Sequence, residues 1–253
     1  MDSNTTSFKD HFSSLANEYS RYRPRYPEEL FRYLSTLAPR HDLALDCATG
    51  NGQAAHGLAP FFNRIIATDA SAQQIAHAYP HERITYAVAS AEHSPAESSS
   101  VDLVTIAAAI HWVEFEKFYA EVNRVLRPGG IFAAWSYLRS TISPDIDRVC
   151  EKYREIIHEY WPPERQYVEE EYRTIPFPFD EIVPPSFTLH QEWTMNELIG
   201  YWETWSASKK YLEHNNVSPV DKIRKELETV WRDPSVKRSI RWVLFFRIGR
   251  PRI

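Results

Sequence analysis

The run Leu43-Ala-Leu-Asp-Cys-Ala-Thr-Gly-Asn-Gly-Gln53 passes from apolar residues through an acid at Asp46 into a turn of small residues at Ala48, Gly50 and Gly52. The chain has only 7 glycines, and two of them stand one residue apart here. A strand that ends in a small-residue loop and feeds a helix lets a ligand approach the backbone closely. The next apolar run, Ile65-Ile-Ala-Thr-Asp69, ends on a carboxylate, which suits the diol of a ribose. Together the two runs predict a site for a nucleoside-containing cofactor. His111 follows a later apolar run and is the residue type for proton transfer.

The elements that must position these residues alternate. Apolar positions Phe8, Phe12, Leu15, Ala16 and Tyr19 predict a helix over Phe8–Tyr22, broken by the prolines of Arg21–Pro27. A second helix is expected from Pro27 to Leu37. Strands are expected at Leu43–Asp46, Arg64–Thr68, Thr85–Val88, Val101–Ile106 and Ile131–Trp135. Helices fall between them near Gly52–Phe61, Ala72–Ala78 and Phe115–Leu126, the last stopped by Arg127-Pro-Gly-Gly130. Strands alternating with helices, and apolar enough to be covered on both faces, imply a parallel sheet with right-handed crossovers.

After Tyr137 the pattern changes. A helix over Ile146–Trp161 leads to a proline-marked irregular stretch from Pro162 to Pro185. A strand at Phe187–Trp193, helices over Thr194–Leu212 and Pro219–Val230 with N-caps Thr194 and Ser218, and a last strand at Trp242–Ile248 follow. The expected organisation is one domain over 1–253, with an N-terminal helical arm at 1–40, a cofactor-binding core at 41–137, and a helical cap with terminal strands at 138–253.

Composition excludes several classes. Lys and Arg total 29 against 34 Asp and Glu, a formal charge of −5, so a nucleic-acid partner is not expected. No apolar run approaches the roughly 20 residues that span a bilayer. Met1–Asp10 lacks the apolar core of a secretory signal, and two cysteines with no zinc-like spacing suit a reducing compartment. The expectation is a cytoplasmic protein with no membrane partner and no metal; His77 and His81 are four apart, but Pro80 interrupts any helix that would align them. Aromatic residues reach 14%, many of them outside the motif region, where they serve as core or wall an apolar pocket.

The turn itself fits two cofactors. Gly50, Gly52 and Ala55 align with a dinucleotide fingerprint. Asp46, Ala48, Gly50 and Gly52 align equally with the acidic glycine loop of class I S-adenosylmethionine-dependent methyltransferases, with an alanine at the first glycine position. Three further segments resemble that superfamily: Ser90-Ala-Glu-His-Ser-Pro95, Asp102 to Trp112, and Arg124-Val-Leu-Arg-Pro-Gly-Gly-Ile131. The last resembles the type 11 families. Phe12–Pro27, His111-Trp112 and Tyr201-Trp-Glu-Thr-Trp-Ser-Ala207 resemble the trans-aconitate-methyltransferase-like group.

The resemblance implies an α/β fold, a doubly wound, mainly parallel seven-stranded Rossmann-like sheet with an aromatic helical cap. It implies S-adenosylmethionine as cofactor and S-adenosylhomocysteine as product. Asp69 would accept from the ribose hydroxyls, with Ala70 beside it. Asp46 would orient the loop or reach the cofactor's amino group through water, while Ala48, Gly50 and Gly52 allow backbone approach. Ala91 and Glu92 would lie by the adenine, and Ala107 and Ala108 would bring carbonyls near the cofactor. Tyr19 and Arg23 would fold over the methionine end, an arginine suiting its carboxylate. Trp112, Trp202 and Trp205, with Tyr201, would wall the acceptor site, or serve as core.

His111 reads either as a general base or as a residue that fixes the loop and lines the pocket. The second reading is preferred, because the methyl of a sulfonium is already activated and alignment with exclusion of water supplies most of the rate. The implied function is methyl transfer to a small molecule, a carboxylate or another oxygen or nitrogen nucleophile. Alternatives are a cofactor-binding scaffold without turnover and a nicotinamide-dependent oxidoreductase; the latter lacks a visible Tyr-x-x-x-Lys.

Overall fold

The computed structural model describes residues 22–252. Tyr19 and all but Tyr22 of the helix expected over Phe8–Tyr22 lie outside them. The first apolar runs form parallel strands, β1 (Leu43–Cys47), β2 (Arg64–Asp69), β3 (Ile84–Val88) and β4 (Val101–Ala107), of which β1 and β4 are the buried ones. Helices α1 (Glu28–Leu37), α2 (Gln53–Leu58), α3 (Ala72–Ala76) and α4 (Phe115–Val125) lie in the expected places. α1 begins after Pro27, with Glu28 and Glu29 favourably placed in its first turn. α4 turns Phe118, Val122 and Val125 inward, the spacing of one helix face.

Strand β5 (Leu126–Thr141) begins five residues earlier than Ile131 and continues past Trp135. The helix α4 does stop before Arg127, but Arg127–Gly130 belongs to the strand, as a bulge. Leu126 faces Val101 and Ile131 faces Leu103, so the intervening residues are absorbed by a register shift. Arg127 holds this region down through Asp42 and the buried Asp102, whose other oxygen accepts from the Asp42 and Leu43 N–H groups.

The irregular stretch contains a short helix, α6 (Arg165–Glu169), and a short strand, β6 (Phe179–Glu181), after α5 (Pro144–Ile156). β7 (Thr188–Trp193) leads to α7 (Met195–Glu203), which opens on a capping box between Thr194 and Glu197. The single helix expected over Thr194–Leu212 is two, α7 and α8 (Ser206–Asn215). At the break, the Thr204 hydroxyl donates to the Tyr201 carbonyl at 2.6 Å and Trp205 turns extended. Ser218 caps a 3-10 turn at Pro219–Lys222, followed by α9 (Arg224–Trp231) and the long β8 (Arg238–Pro251).

The sheet has eight strands, one more than the seven expected, ordered β3-β2-β1-β4-β5-β8-β6 with β7 also on β8. β1 through β5 are parallel, and β8 is antiparallel to β5, β6 and β7. The order reverses between β1 and β4, the switch point at which open α/β sheets bind ligands. Alternate residues of each central strand enter different cores. Ala44, Leu103, Ile131, Ala133 and Trp135 face α1, α2 and the cap, while Leu45, Val104, Phe132 and Ala134 face α4. Both faces are therefore covered, as the apolar runs require.

Candidate functional site

Two groups of residues meet at the carboxyl edge of the sheet. The first surrounds the switch point. Parallel register sets Asp46 opposite Thr105, and their side chains bond at 2.7 Å. The other Asp46 oxygen accepts from the Thr49 hydroxyl at 2.5 Å. Asp46 is fully buried; burial raises its pKa to about 6, against the opposing bonds from Thr49, Thr105 and the Ala55 backbone. Asp46 thus anchors the loop, the first of the two roles the sequence suggested.

Beyond it Ala48 takes a left-handed backbone at φ 49°, as does Ala108 past the end of β4 at φ 54°. Such strain at two strand ends is held by the surrounding structure, and it brings backbone to the edge. Gly52 has φ 90°, and a Cβ there would meet the Tyr86 hydroxyl at 2.1 Å. A Cβ on Gly50, by contrast, would meet nothing nearer than Gln74 at 3.9 Å among the described residues, which leave the space above this turn open.

Asp69 ties the two loops together. One carboxylate oxygen accepts from the Gly50 N–H at 2.9 Å and the other from the Ser71 N–H at 2.8 Å. Ala70 is half-buried between those contacts. Ala91 is buried in the loop after β3, and Glu92 accepts from the Glu114 N–H at 3.0 Å, joining that loop to the start of α4. Ala107 ends β4 opposite Trp135.

The second group lies on the β4–β5 side and lines a partly open cavity of about 90 Å³. Its lining includes Ala108, His111 and Trp112 from the sheet edge and Tyr137 from the overhanging end of β5. The cap contributes Trp161, Arg165, Tyr201, Trp205 and Ser206, and Arg23 enters from the N-terminal side. Among the described residues the lining holds two arginines and no carboxylate.

The guanidinium of Arg165 lies 4.3 Å from the ring centroid of Trp161, and that of Arg23 lies 5.4 Å from that of Tyr201. Trp112 and Trp205 line the space. Trp202 does not: it is buried and stacks on Tyr153 with ring centroids 4.5 Å apart. Its place is in the core beneath the cavity wall.

His111 is buried, and its Nδ1 lies 3.1 Å from the Tyr172 hydroxyl. Burial, reinforced by the nearby Arg165 charge, lowers its pKa to about 3, so the ring is neutral at physiological pH. Tyr172 reaches it from a turn in which Glu171 and Tyr172 both have positive φ. Arg247 pins that turn by donating to the Tyr172 and Ile175 carbonyls at 2.9 and 3.0 Å. Sequence reasoning missed Tyr172, Arg165, Trp161 and Tyr137. The first three lie in the proline-rich stretch or at its edge, where no periodicity assigns a side to any residue. Tyr137 was hidden by the underestimated length of β5.

Comparison with known proteins gives a consistent result. A family model described as a methyltransferase domain matches residues 45–134. A Dictyostelium discoideum protein assigned as a methyltransferase is 34% identical over 227 residues, 88% of this chain and 86% of that one. A Saccharomyces cerevisiae protein assigned as an S-adenosylmethionine-dependent methyltransferase is 33% identical over 131 residues, 48% of this chain and 45% of its own length. A solved structure assigned as a type II methyltransferase from Anaeromyxobacter dehalogenans is 41% identical. It matches with a TM-score of 0.86 over 91% of this chain and 100% of that one.

The raised pKa of Asp46 has a consequence for stability. A group whose pKa rises on folding from 3.8 to about 6 contributes stability below about pH 4 that is lost as the pH rises through about 6. Asp46→Asn removes that dependence. Its Tm relative to the wild type should move in the variant's favour between about pH 4 and 7; a constant difference across that range would contradict the assignment.

Proposed function

The chain belongs to the class I S-adenosylmethionine-dependent methyltransferases, and from that premise we propose that its acceptor is a small molecule bound in the cavity, a carboxylate or another oxygen or nitrogen nucleophile. The observation that carries this is the cavity lining, which among the described residues has aromatic walls, two arginines and no carboxylate, with Ala108 of the sheet edge beside them. A partly open space of about 90 Å³ suits a small acceptor, and the two arginines among its described lining disfavour a cationic one. The carboxylate reading is the one that the resemblance to the trans-aconitate-like group also favours.

The switch-point residues fit the cofactor. The open space above Gly50 and the left-handed Ala48 give the close backbone approach that a nucleoside needs. Ribose hydroxyls, in this reading, donate to Asp69, which stands at the end of β2 beside the glycine turn. In this reading Ala91 and Glu92 adjoin the adenine, while Arg23 takes the methionine carboxylate. When bound, the cofactor supplies a methyl group already activated on a sulfonium. The protein's part is then to align the acceptor and exclude water, and the aromatic cap over the cavity serves both.

His111 lines the cavity as a neutral ring held by Tyr172. A base with a pKa of about 3 is far from the value that proton abstraction near pH 7 favours. Its role in this reading is to shape the pocket and offer a hydrogen bond.

Two measurements test the proposal. S-adenosylhomocysteine at about 100 times its Kd should stabilise the protein by about 2.7 kcal/mol, and NAD should not. Asp69→Ala should keep its fold and lose most of that stabilisation. A shift with NAD alone, or an unaltered shift in the variant, would overturn the cofactor assignment. His111→Gln should lower kcat by less than about tenfold, whereas removal of a general base costs about 10²–10⁴. A loss in that larger range would restore the base.

A further inference from the structure

Arg165 has no part in the assignments above, yet it is the charged group that the cap presents to the cavity. Its side chain is 19% exposed, and its plane is fixed twice. The guanidinium rests on Trp161 at 4.3 Å, and Nε donates to Glu169 at 3.0 Å, one helical turn along α6. Among the described residues nothing accepts a hydrogen bond from Nη1 or Nη2. Burial works against the charge and Glu169 partly restores it, so the group remains a cation whose terminal edge lacks a protein partner. A guanidinium oriented on one side and unused on the other is preorganised for a bidentate anion. Trp112, Trp161 and Trp205 give the same cavity flat apolar walls.

We infer that Arg165 is the specificity-determining residue of the acceptor site, its Nη1–Nη2 edge binding the carboxylate of a small planar acid whose body lies among the tryptophans. This rests on the proposed acceptor cavity and assigns its two arginines separate tasks, Arg23 to the donor and Arg165 to the acceptor. Charge is what Arg165 reads. A neutral compound of the same shape loses that bond and leaves the buried guanidinium unpaired.

The test uses the full chain saturated with S-adenosylhomocysteine, with trans-cinnamate and benzoate as probes against their uncharged amides, followed by tryptophan fluorescence and calorimetry. The wild type should bind the acids at least about tenfold more tightly than the amides. Arg165→Gln should abolish that preference, Arg165→Lys should restore part of it, and both should keep S-adenosylhomocysteine affinity within about twofold of wild type, since Arg23 and not Arg165 is assigned to the donor. Equal binding of acid and amide to the wild type, failure of both to bind, or a preference that survives in Arg165→Gln would overturn the inference. Loss of S-adenosylhomocysteine binding in a folded Arg165→Gln would also overturn it, by assigning the arginine to the donor. If Arg165→Gln does not fold, the acid–amide comparison on the wild type decides. Failure of the wild type to bind S-adenosylhomocysteine at all is a separate result, which strikes the cofactor assignment and not Arg165.

Discussion

Asp46 stands where neighbouring strands of the sheet wind off in opposite directions, and its carboxylate bonds to both sides of that point. Thr105 belongs to β4, Thr49 to the loop that leaves β1, and Ala55 to the helix that follows. A carboxylate buried without such donors would be too costly to keep. With them, it makes the position of the glycine turn a consequence of strand register. Asp69 then fixes the outer side of the same turn from β2, through Gly50. The open space above the turn is thus bounded by two acids, one fully buried and structural, one half-buried with its carboxylate beside that space.

The cavity depends on a different device, the length of β5. β4 ends opposite Trp135, but β5 continues to Thr141, supported by antiparallel pairing with β8. That overhang carries Tyr137 and Leu138 above the sheet edge, where the cap closes over them. The break between α7 and α8 turns Trp205 and Ser206 to the same space. The proline-rich stretch supplies Trp161 and Arg165 from one end and the strained turn at Tyr172 from the other, where it holds His111. The glycine-turn side is built by regular secondary structure and the cavity side by its interruptions.

That division explains what could be read from sequence. Asp46, Gly50, Gly52 and Asp69 were legible because short-range pattern specifies them: an apolar strand, a small-residue turn, an acid at the next strand end. The central strands were legible for the same reason, since β1 and β4 are buried on both faces and read as continuous apolar runs. Trp202 and Trp205 part company because the helix breaks between them, which leaves Trp202 in the core and Trp205 at the cavity. Arg165 and Tyr172 carried no local signal. Their positions come from long-range packing of α6 against the cap and from the Arg247 contacts that pin the turn. The extension of β5 through Arg127–Gly130 was hidden because a Pro-Gly-Gly sequence ordinarily marks a turn, and here a register shift absorbs it.

The central claim is that the donor methyl at the switch point faces the arginine-bearing aromatic cavity. S-adenosylmethionine carrying a ¹³C-labelled methyl group, bound to the protein in an isotope-filtered nuclear Overhauser experiment, tests it directly. The account predicts cross-peaks from that methyl to ring protons of Trp112, Tyr137 or His111, which line the cavity beside Ala108. Cross-peaks only to Tyr79 or Tyr86, on the far side of the glycine turn, would contradict it.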